Sequence, residues 1–241
     1  MANELPHAVV RCLFLVFLTC GTCAAQSIAV GAIGGGRLTD DVLTFPPPEA
    51  NSVTVGAAFR LESKFYDVGP TIEIGLAHGF AVEIDAVYHR LGLFFTFAHD
   101  TQYNVDRERD NSWEFPLLLK YKPRSAVVNP FFEAGVAPRT ISGRYVGTFQ
   151  SDGYVLSPPS PTGATTSYSP GVGFVAGGGL QFNLGQLRLA PQVRYTRWAT
   201  APVGGLYYSI GSTYSSNQNQ LDVLVGISWN GLLGKLRAAT K

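Results

Sequence analysis

Apolar and polar residues alternate along most of this sequence, and that period of two restricts the fold more than any other feature. In the segment 71–89, every second residue is apolar on either side of a turn at His78-Gly79, and acids such as Glu73 and Glu83 stand between them. Successive side chains of a β-strand point to opposite faces, so the alternation predicts strands with one apolar and one charged face. The apolar set is Ile72, Ile74, Leu76, Phe80, Val82, Ile84, Ala86 and Tyr88.

The whole pattern predicts eight strands joined alternately by short turns and long connections. An even strand number, with short turns at one end and long loops at the other, is typical of transmembrane β-barrels. We therefore expect an all-β fold, a single eight-stranded antiparallel up-and-down transmembrane β-barrel with four long external loops and short periplasmic turns. The predicted strands are Ser27–Leu38, Lys64–Leu76, Phe80–Arg90, Ser112–Lys122, Asn129–Val146, Pro170–Asn183, Leu187–Trp198 and Gln220–Trp229. The predicted long loops are about 39–63, 91–111, 147–169 and 199–219.

The segment Val53–Leu61 alternates as well, which leaves its place in the fold open. As a ninth spanning strand it would make the strand number odd and put a long loop on the periplasmic side, against the usual pattern. We therefore favour a strand-like extension inside the first external loop.

One register of the predicted strands collects nearly all the charged residues. The interior of an eight-stranded barrel is just wide enough for side chains to fill it, and an isolated buried ion costs several kcal/mol. The near balance of acids and bases therefore predicts a lumen plugged by ion pairs and not an open pore. The predicted lumen network is Arg37, Asp67, Glu73, Glu83, Asp85, His89, Glu114, Lys120, Lys122, Glu133, Arg139, Arg188, Arg194 and Asp222.

The other register is apolar and ends in aromatic side chains, as expected for a surface in contact with lipid. Aromatic girdles mark both rims of a transmembrane barrel, and Trp113, Tyr121, Tyr195 and Trp229 stand near predicted strand ends. The sequence alone does not label which register faces inward. A soluble, ligand-carrying barrel with an apolar interior and a charged exterior is therefore the alternative.

The first 25 residues have the layout of a secretory signal peptide. Arg11 precedes the apolar run Cys12–Thr19, which is too short to span a bilayer, and the small residues at 23–25 suit cleavage. The predicted organisation is a signal peptide at 1–25, an outer-membrane β-barrel at 26–229 and a short periplasmic tail at 230–241.

Composition excludes several classes of function. All three cysteines lie in the predicted signal peptide, so the predicted exported chain has no thiol for disulfides, catalysis or metal binding. The formal net charge is +1 and no basic patch stands out, which argues against a nucleic-acid partner. No cofactor, metal site or catalytic set is predicted.

Two polar features have alternative interpretations. His89 shares the inward register with Asp85, and an acid–histidine pair can support general acid–base chemistry, but we favour a histidine satisfied within the lumen network. The mixed charge run 106–110 (DRERD) lies in the predicted second loop. It suits contact with lipopolysaccharide phosphates or divalent ions, although we favour a solvated loop.

Three segments resemble small bacterial outer-membrane barrels of the OmpA/OmpX/OmpW-like families. They are 66–73 (YDVGPTIE), 84–92 (IDAVYHRLG) and 130–135 (PFFEAG). The resemblance implies an eight-stranded barrel in the outer membrane of a Gram-negative-type bacterium. It also implies that Trp229, as the aromatic at the end of the last strand, is read by the barrel-insertion machinery, although twelve residues follow it here.

The expected role is structural or surface interaction through the exposed loops, by a chain that is not an enzyme and is a monomer. Its expected partners are outer-membrane lipid and lipopolysaccharide. A rigid scaffold that holds loops outward is a common way to present a binding surface. Two alternatives stay open: a narrow channel for small solutes, and a lipid-modifying outer-membrane enzyme.

Overall fold

The computed structural model describes residues 27–45, 55–99, 102–123, 128–151, 154–157, 164–168, 170–201, 204–207 and 212–229. The predicted signal peptide and the predicted C-terminal tail lie outside the described residues. No helix in the described part of the chain has the length and hydropathy needed to cross a bilayer.

Strands make up most of the described chain. They are β1 (Ser27–Arg37), β2 (Val42–Phe45), β3 (Val55–Leu61), β4 (Tyr66–Gly75), β5 (Phe80–Asp85), β6 (Val87–His99), β7 (Gln102–Glu114), β8 (Leu117–Tyr121), β9 (Val128–Ser151), β10 (Tyr154–Ser157), β11 (Ala164–Ser167), β12 (Gly171–Leu184), β13 (Leu187–Trp198), β14 (Gly204–Tyr207), β15 (Ser212–Ser216) and β16 (Asn219–Trp229).

Eight antiparallel positions close into a ring, which confirms the predicted barrel. The order round the ring is β1, β4, β5 with β6, β7 with β8, β9, β12, β13 and β16. The last strand pairs with the first, from Val30 opposite Trp229 to Arg37 opposite Asp222. Each ring strand thus lies beside its sequence neighbours, as an up-and-down barrel requires.

Two ring positions are each built from two strands with a short interruption. The chain leaves the ladder at Ala86 between β5 and β6, and at Phe115-Pro116 between β7 and β8. Proline has no N–H to donate, and the Pro116 carbonyl instead accepts a bond from the Asp85 N–H at 3.0 Å. Both interruptions keep the alternation in step, so the charged register stays inside.

The short turns lie at one end of the ring, as predicted. His78 (φ 60°) and Gly79 (φ 84°) form the turn between β4 and β5, and Gly185 (φ 67°) forms the turn between β12 and β13. Glycine adopts left-handed backbone angles without steric cost, and His78 is the one described residue other than glycine that takes them. The predicted turn after Lys122 falls mostly outside the described residues.

The predicted second loop, 91–111, is wrong. β6 and β7 run on as one paired hairpin from Val87 opposite Glu114 to His99 opposite Gln102. The predicted third loop is also partly wrong, because β9 continues past Val146 to Ser151 and pairs with β10 and β11. A β-sheet therefore continues beyond the barrel on the side of the long connections.

The Val53–Leu61 segment belongs to this external sheet as far as it is described. β3 pairs with the upper part of β6, with Leu61 opposite Leu93, and takes no place in the ring. The Glu62 N–H then bonds the Gly92 carbonyl at 2.8 Å, which leads the chain towards β4. The prediction of a strand-like extension is confirmed for residues 55–61.

The two faces of the barrel differ as the alternation predicted. Large apolar side chains are exposed on the outside of every ring position, for example Val30, Ile72, Leu119 and Phe132. The charged register is buried inside. The alternative of an apolar interior beneath a charged exterior is therefore wrong for this fold.

The lumen also holds apolar layers that the charge pattern did not predict. One buried cluster joins Ile33, Val87 and Leu224. A second joins Leu118, Ala137, Val175 and Trp198. At the loop end, a third cluster of Val42, Leu93 and Ile141 lies over the charged residues. The interior is thus filled by alternating apolar and ionic layers.

Candidate functional site in the barrel lumen

The predicted lumen residues lie inside the barrel, and all of them except Arg139 belong to three ionic clusters. Even the most exposed of the ion-paired members, Lys122, has a side chain only 15% accessible to solvent. Each cluster takes the name of one member, and the three follow one another from the turn end to the loop end. The clusters are separate because their members occupy different positions along the strands.

The Glu73 cluster lies nearest the short turns and comprises Glu73, Lys122, Arg188 and Gln181. Lys122 Nζ lies 2.5 Å from one carboxylate oxygen of Glu73, and Arg188 Nη1 lies 2.9 Å from the other. Lys122 also donates to the Gln181 side-chain oxygen at 2.7 Å. One carboxylate is therefore shared between two cations.

The Arg194 cluster lies next along the lumen and comprises Arg194, Lys120, Glu83, Asp85 and Glu133. Arg194 donates to Glu133 at 3.0 Å, to Asp85 at 2.9 Å and to Glu83 at 3.2 Å. Lys120 Nζ lies 2.5 Å from Glu83 and 3.3 Å from Glu133. Here three carboxylates share two cations. The Arg194 and Glu73 clusters together therefore hold four carboxylates and four cations.

A glycine makes room for this arrangement. A Cβ placed on Gly177 would lie 2.9 Å from Glu133 Oε1 and 2.7 Å from the Val193 carbonyl oxygen. Any larger residue would therefore push the carboxylate away from Arg194. The glycine at this inward position is a condition for the Glu133–Arg194 ion pair.

The Arg37 cluster lies towards the loops and comprises Arg37, Asp41, Asp67, His89, Glu114, Asp222 and Gln220. Arg37 reaches four carboxylates at distances between 2.8 and 3.3 Å. Gln220 donates to Glu114 at 3.1 Å and to Asp222 at 2.8 Å. This cluster holds more carboxylates than cations.

His89 is fully buried between two of these carboxylates. Its Nε2 lies 3.0 Å from Asp41 and its Nδ1 lies 2.9 Å from Asp67. An imidazolium donates from both nitrogens, so the geometry suits the charged ring. His89 does not contact Asp85, the acid with which the sequence paired it, within the contacts of the described residues.

Asp41 lies in the connection after β1 and was missed by the sequence. Burial opposes its ionisation, but the hydrogen bond from His89 and the positive charge of Arg37 outweigh burial and lower the pKa of Asp41 to about 2. No periodicity marks a loop residue as a lumen residue. By contrast, Gln220 and Trp198 occupy inward-facing alternate positions of their strands, so the alternation alone would have identified them.

Arg139 differs from the other predicted network members. Its guanidinium lies 3.7 Å above the Trp198 ring, and no carboxylate of the described residues lies within ion-pair distance. The Trp198 Nε1 donates to Gln220 at 2.8 Å, which joins this stack to the Arg37 cluster. A cation over an aromatic face is stabilised by the ring quadrupole.

Little free space separates these side chains. The cavity between Glu73, Glu83, Lys120 and Arg188 measures about 20 Å³. A second cavity of about 20 Å³ lies beside Arg37 and Asp41. Each is large enough for about one water molecule. In the described parts of the chain, no group of three or more histidine, cysteine or acidic side chains is placed to hold a metal ion.

The four predicted girdle residues lie on the outer surface. Trp113 and Tyr195 are exposed near the loop end, and Tyr121 and Trp229 are exposed near the turn end. The nine residues from Trp113 to Tyr121 match the 9–11 that a tilted strand needs to cross a bilayer. Trp113 also contacts Tyr88, with ring centroids 5.2 Å apart.

No protein-family model matches the sequence, and no curated protein sequence is significantly similar to it. Among solved structures, Neisserial surface protein A is 8% identical, with a TM-score of 0.49 over 84% of this chain and 96% of that chain. The outer membrane protein OprG from Pseudomonas aeruginosa is 12% identical, with a TM-score of 0.49 over 84% and 93%. The outer membrane protease OmpT from Escherichia coli is 8% identical, with a TM-score of 0.41 over 86% and 97%.

These similar structures are small outer-membrane β-barrel proteins. At such low identities the similarity concerns the fold alone. The assignment of this chain as an eight-stranded barrel stands on its own strand pairing.

Proposed function

We propose that this chain is an integral outer-membrane β-barrel with a closed lumen, which holds a rigid β-sheet outside the membrane as an interaction surface. The observation that carries the proposal is the Arg194 cluster. It fills the middle of the lumen with ion-paired side chains and leaves room for about one water beside it. The barrel then acts as a support and not as a passage.

The outer surface supports insertion in a membrane. Exposed valine, isoleucine, leucine and phenylalanine side chains cover every ring position between the two aromatic girdles. Soluble monomers rarely expose continuous apolar patches above a few hundred Å², and an apolar band between aromatic girdles is typical of outer-membrane barrels. Lipid is the environment that this surface fits.

The external sheet supports a surface role. β9 continues for twelve residues beyond Arg139, a length of about 40 Å along the strand. It is paired on one side with β7 up to Gln102 opposite Ser151. Such a paired sheet presents side chains in fixed positions, which suits recognition better than a flexible loop does.

The first experiment is fractionation of cells that express the full chain, followed by gel migration with and without boiling. We expect recovery in the outer membrane and a mobility shift on heating. Recovery as a soluble protein without a shift would overturn the proposal.

The second experiment is conductance of the purified protein in a planar bilayer. We expect no steady conductance from the wild type and a measurable increase for Arg194→Ala. The matched control is Arg197→Ala, an outward-facing arginine three residues further along β13, which should stay closed. Steady wild-type conductance would favour the channel alternative instead.

The lipid-modifying enzyme alternative has a separate test. His89 is enclosed between Asp41 and Asp67 inside the lumen, a position that a lipid substrate in the bilayer does not reach. We expect no turnover of lipid A or phospholipid by the inserted protein. Turnover that is lost in His89→Gln would establish an enzyme.

A further inference from the structure

The charge run 106–110 lies on β7, beyond the girdle residue Trp113. Because side chains alternate along a strand, Arg107 and Arg109 are exposed on the same outer face as Trp113. The three acids of the run face the other way, where Tyr145 donates to Asp106 and Tyr168 donates to Glu108. The charge run is mixed in sequence, but its outer face on β7 is basic.

Neighbouring strands add two more arginines to this outer face. Arg90 on β6 and Arg144 on β9 line the same groove as Arg107 and Arg109, and we name these four residues the arginine groove. Its volume is about 770 Å³. The lining within the described residues contains no carboxylate. Its other members are Phe94, Val105, Asn111, Ser142, Gly143, Val146, Thr148 and Thr165.

Two of these arginines face each other directly. Arg109 is the cross-strand partner of Arg144, and like charges in directly opposite positions destabilise a sheet. Among the described residues, only Arg107 of the four has a carboxylate partner, Glu62 at 3.2 Å. An anion between Arg109 and Arg144 would remove the repulsion.

The position of the groove indicates which anion. Arg109 lies four residues beyond Trp113, about 13 Å along the strand. Tryptophan girdles lie at the level of the lipid headgroups, so the groove opens sideways at or just above that level. Phe94 and Val146, both cross-strand partners of Arg107, and Val105 line the end of the groove away from Trp113.

We propose that the arginine groove binds the phosphate groups of anionic lipids in the leaflet on the loop side of the barrel. The proposal rests on the proposed membrane insertion and adds a specific partner to it. Guanidinium groups bind phosphate oxygens in pairs through their fork of N–H donors. Arg109 and Arg144 form the centre of the site, and Arg90 and Arg107 flank it.

Tryptophan fluorescence offers a local test, because Trp113 lies beside the groove. The protein has three tryptophans. Trp198 is enclosed in the lumen and Trp229 lies at the opposite rim, so a W229F background makes Trp113 the reporter of nearby lipid. The chain is inserted into phosphatidylcholine vesicles that contain a small fraction of brominated phosphatidic acid or, separately, brominated phosphatidylcholine.

We expect the brominated phosphatidic acid to quench Trp113 more strongly than brominated phosphatidylcholine at the same mole fraction. Each arginine near an anionic surface strengthens binding to it about fivefold, so R109Q/R144Q should abolish the excess quenching. Added salt should weaken it. The matched control R197Q, an outward arginine on β13 that donates to Asn219 at 2.6 Å, should keep it.

The possible failures are distinguishable. A chain that does not insert into phosphatidylcholine would overturn both the proposed function and this site. An inserted chain that is quenched equally by both lipids would overturn the site alone. Excess quenching that persists in R109Q/R144Q would also overturn it.

Discussion

Replacing Arg194 by methionine should destabilise the barrel by about 3–5 kcal/mol. The magnitude follows from what remains in the lumen. Lys120 stays within 3.3 Å of Glu83 and Glu133, so these two carboxylates keep a partner. Asp85 loses the cation that lies 2.9 Å away. One uncompensated buried charge therefore remains, which is the situation that costs this much.

A double variant separates charge from packing. D85N/R194M removes the orphaned charge and leaves an unpaired amide, for which a loss of about 1–3 kcal/mol is expected. The double variant should therefore be more stable than R194M. R197M, on the outer face of the same strand, should change stability by no more than about 0.5 kcal/mol.

The assay is urea-induced unfolding from lipid vesicles, followed by tryptophan fluorescence and by heat-sensitive gel migration. Reversible transitions give the free energy of unfolding for each variant. A loss below about 1 kcal/mol in R194M would refute the reasoning, as would a double variant no more stable than R194M.

Three further substitutions test other parts of the barrel by the same titration. Gly35→Ala should cost more than about 1 kcal/mol, because a Cβ there would lie 2.0 Å from the Val223 carbonyl oxygen. The control Gly34→Ala should be nearly neutral, because its Cβ would meet no atom closer than 3.5 Å. Asp41→Asn should lower the free energy of unfolding by about 2 kcal/mol near neutral pH. Burial raises the pKa of Asp41, but His89 and Arg37 outweigh burial and lower this pKa from 3.8 to about 2. The difference from wild type should therefore vanish as the pH falls from 4 to 2. Equal pH profiles for the two proteins would contradict that account. Arg139→Met should cost about 2 kcal/mol or less, below the loss for R194M, because its guanidinium stacks on Trp198 and has no carboxylate at ion-pair distance within the described residues.

The alternation predicted the ring because lipid on one side and a filled lumen on the other impose a strict period of two. Beyond the girdles that contrast disappears. In the segment 91–98, Leu93 and Phe95 are buried on one face and Phe94 lines a groove on the other, so the strand is apolar on both faces. In 104–111 Val105 is the one apolar residue, so no apolar face marks a strand there.

The alternation of side chains along each strand identified most lumen residues. Which of them contact one another depends on how far neighbouring strands are shifted relative to each other. His89 and Asp85 are close in sequence, yet His89 contacts Asp67 from β4 and Asp41 from a connection. Asp41 reaches His89 only once β1, β4 and β6 lie side by side. Sequence patterns of period two carry no information on either point.

β9 passes without interruption from the turn end of the barrel to the external sheet, over 24 residues and about 80 Å. It carries Glu133 in the lumen and Arg144 in the arginine groove. A pull on the external sheet would therefore load the backbone bonds of β9 with β7, β8 and β12 in shear, where many hydrogen bonds share the force. The surface sheet and the ionic core should therefore resist traction as one mechanical unit.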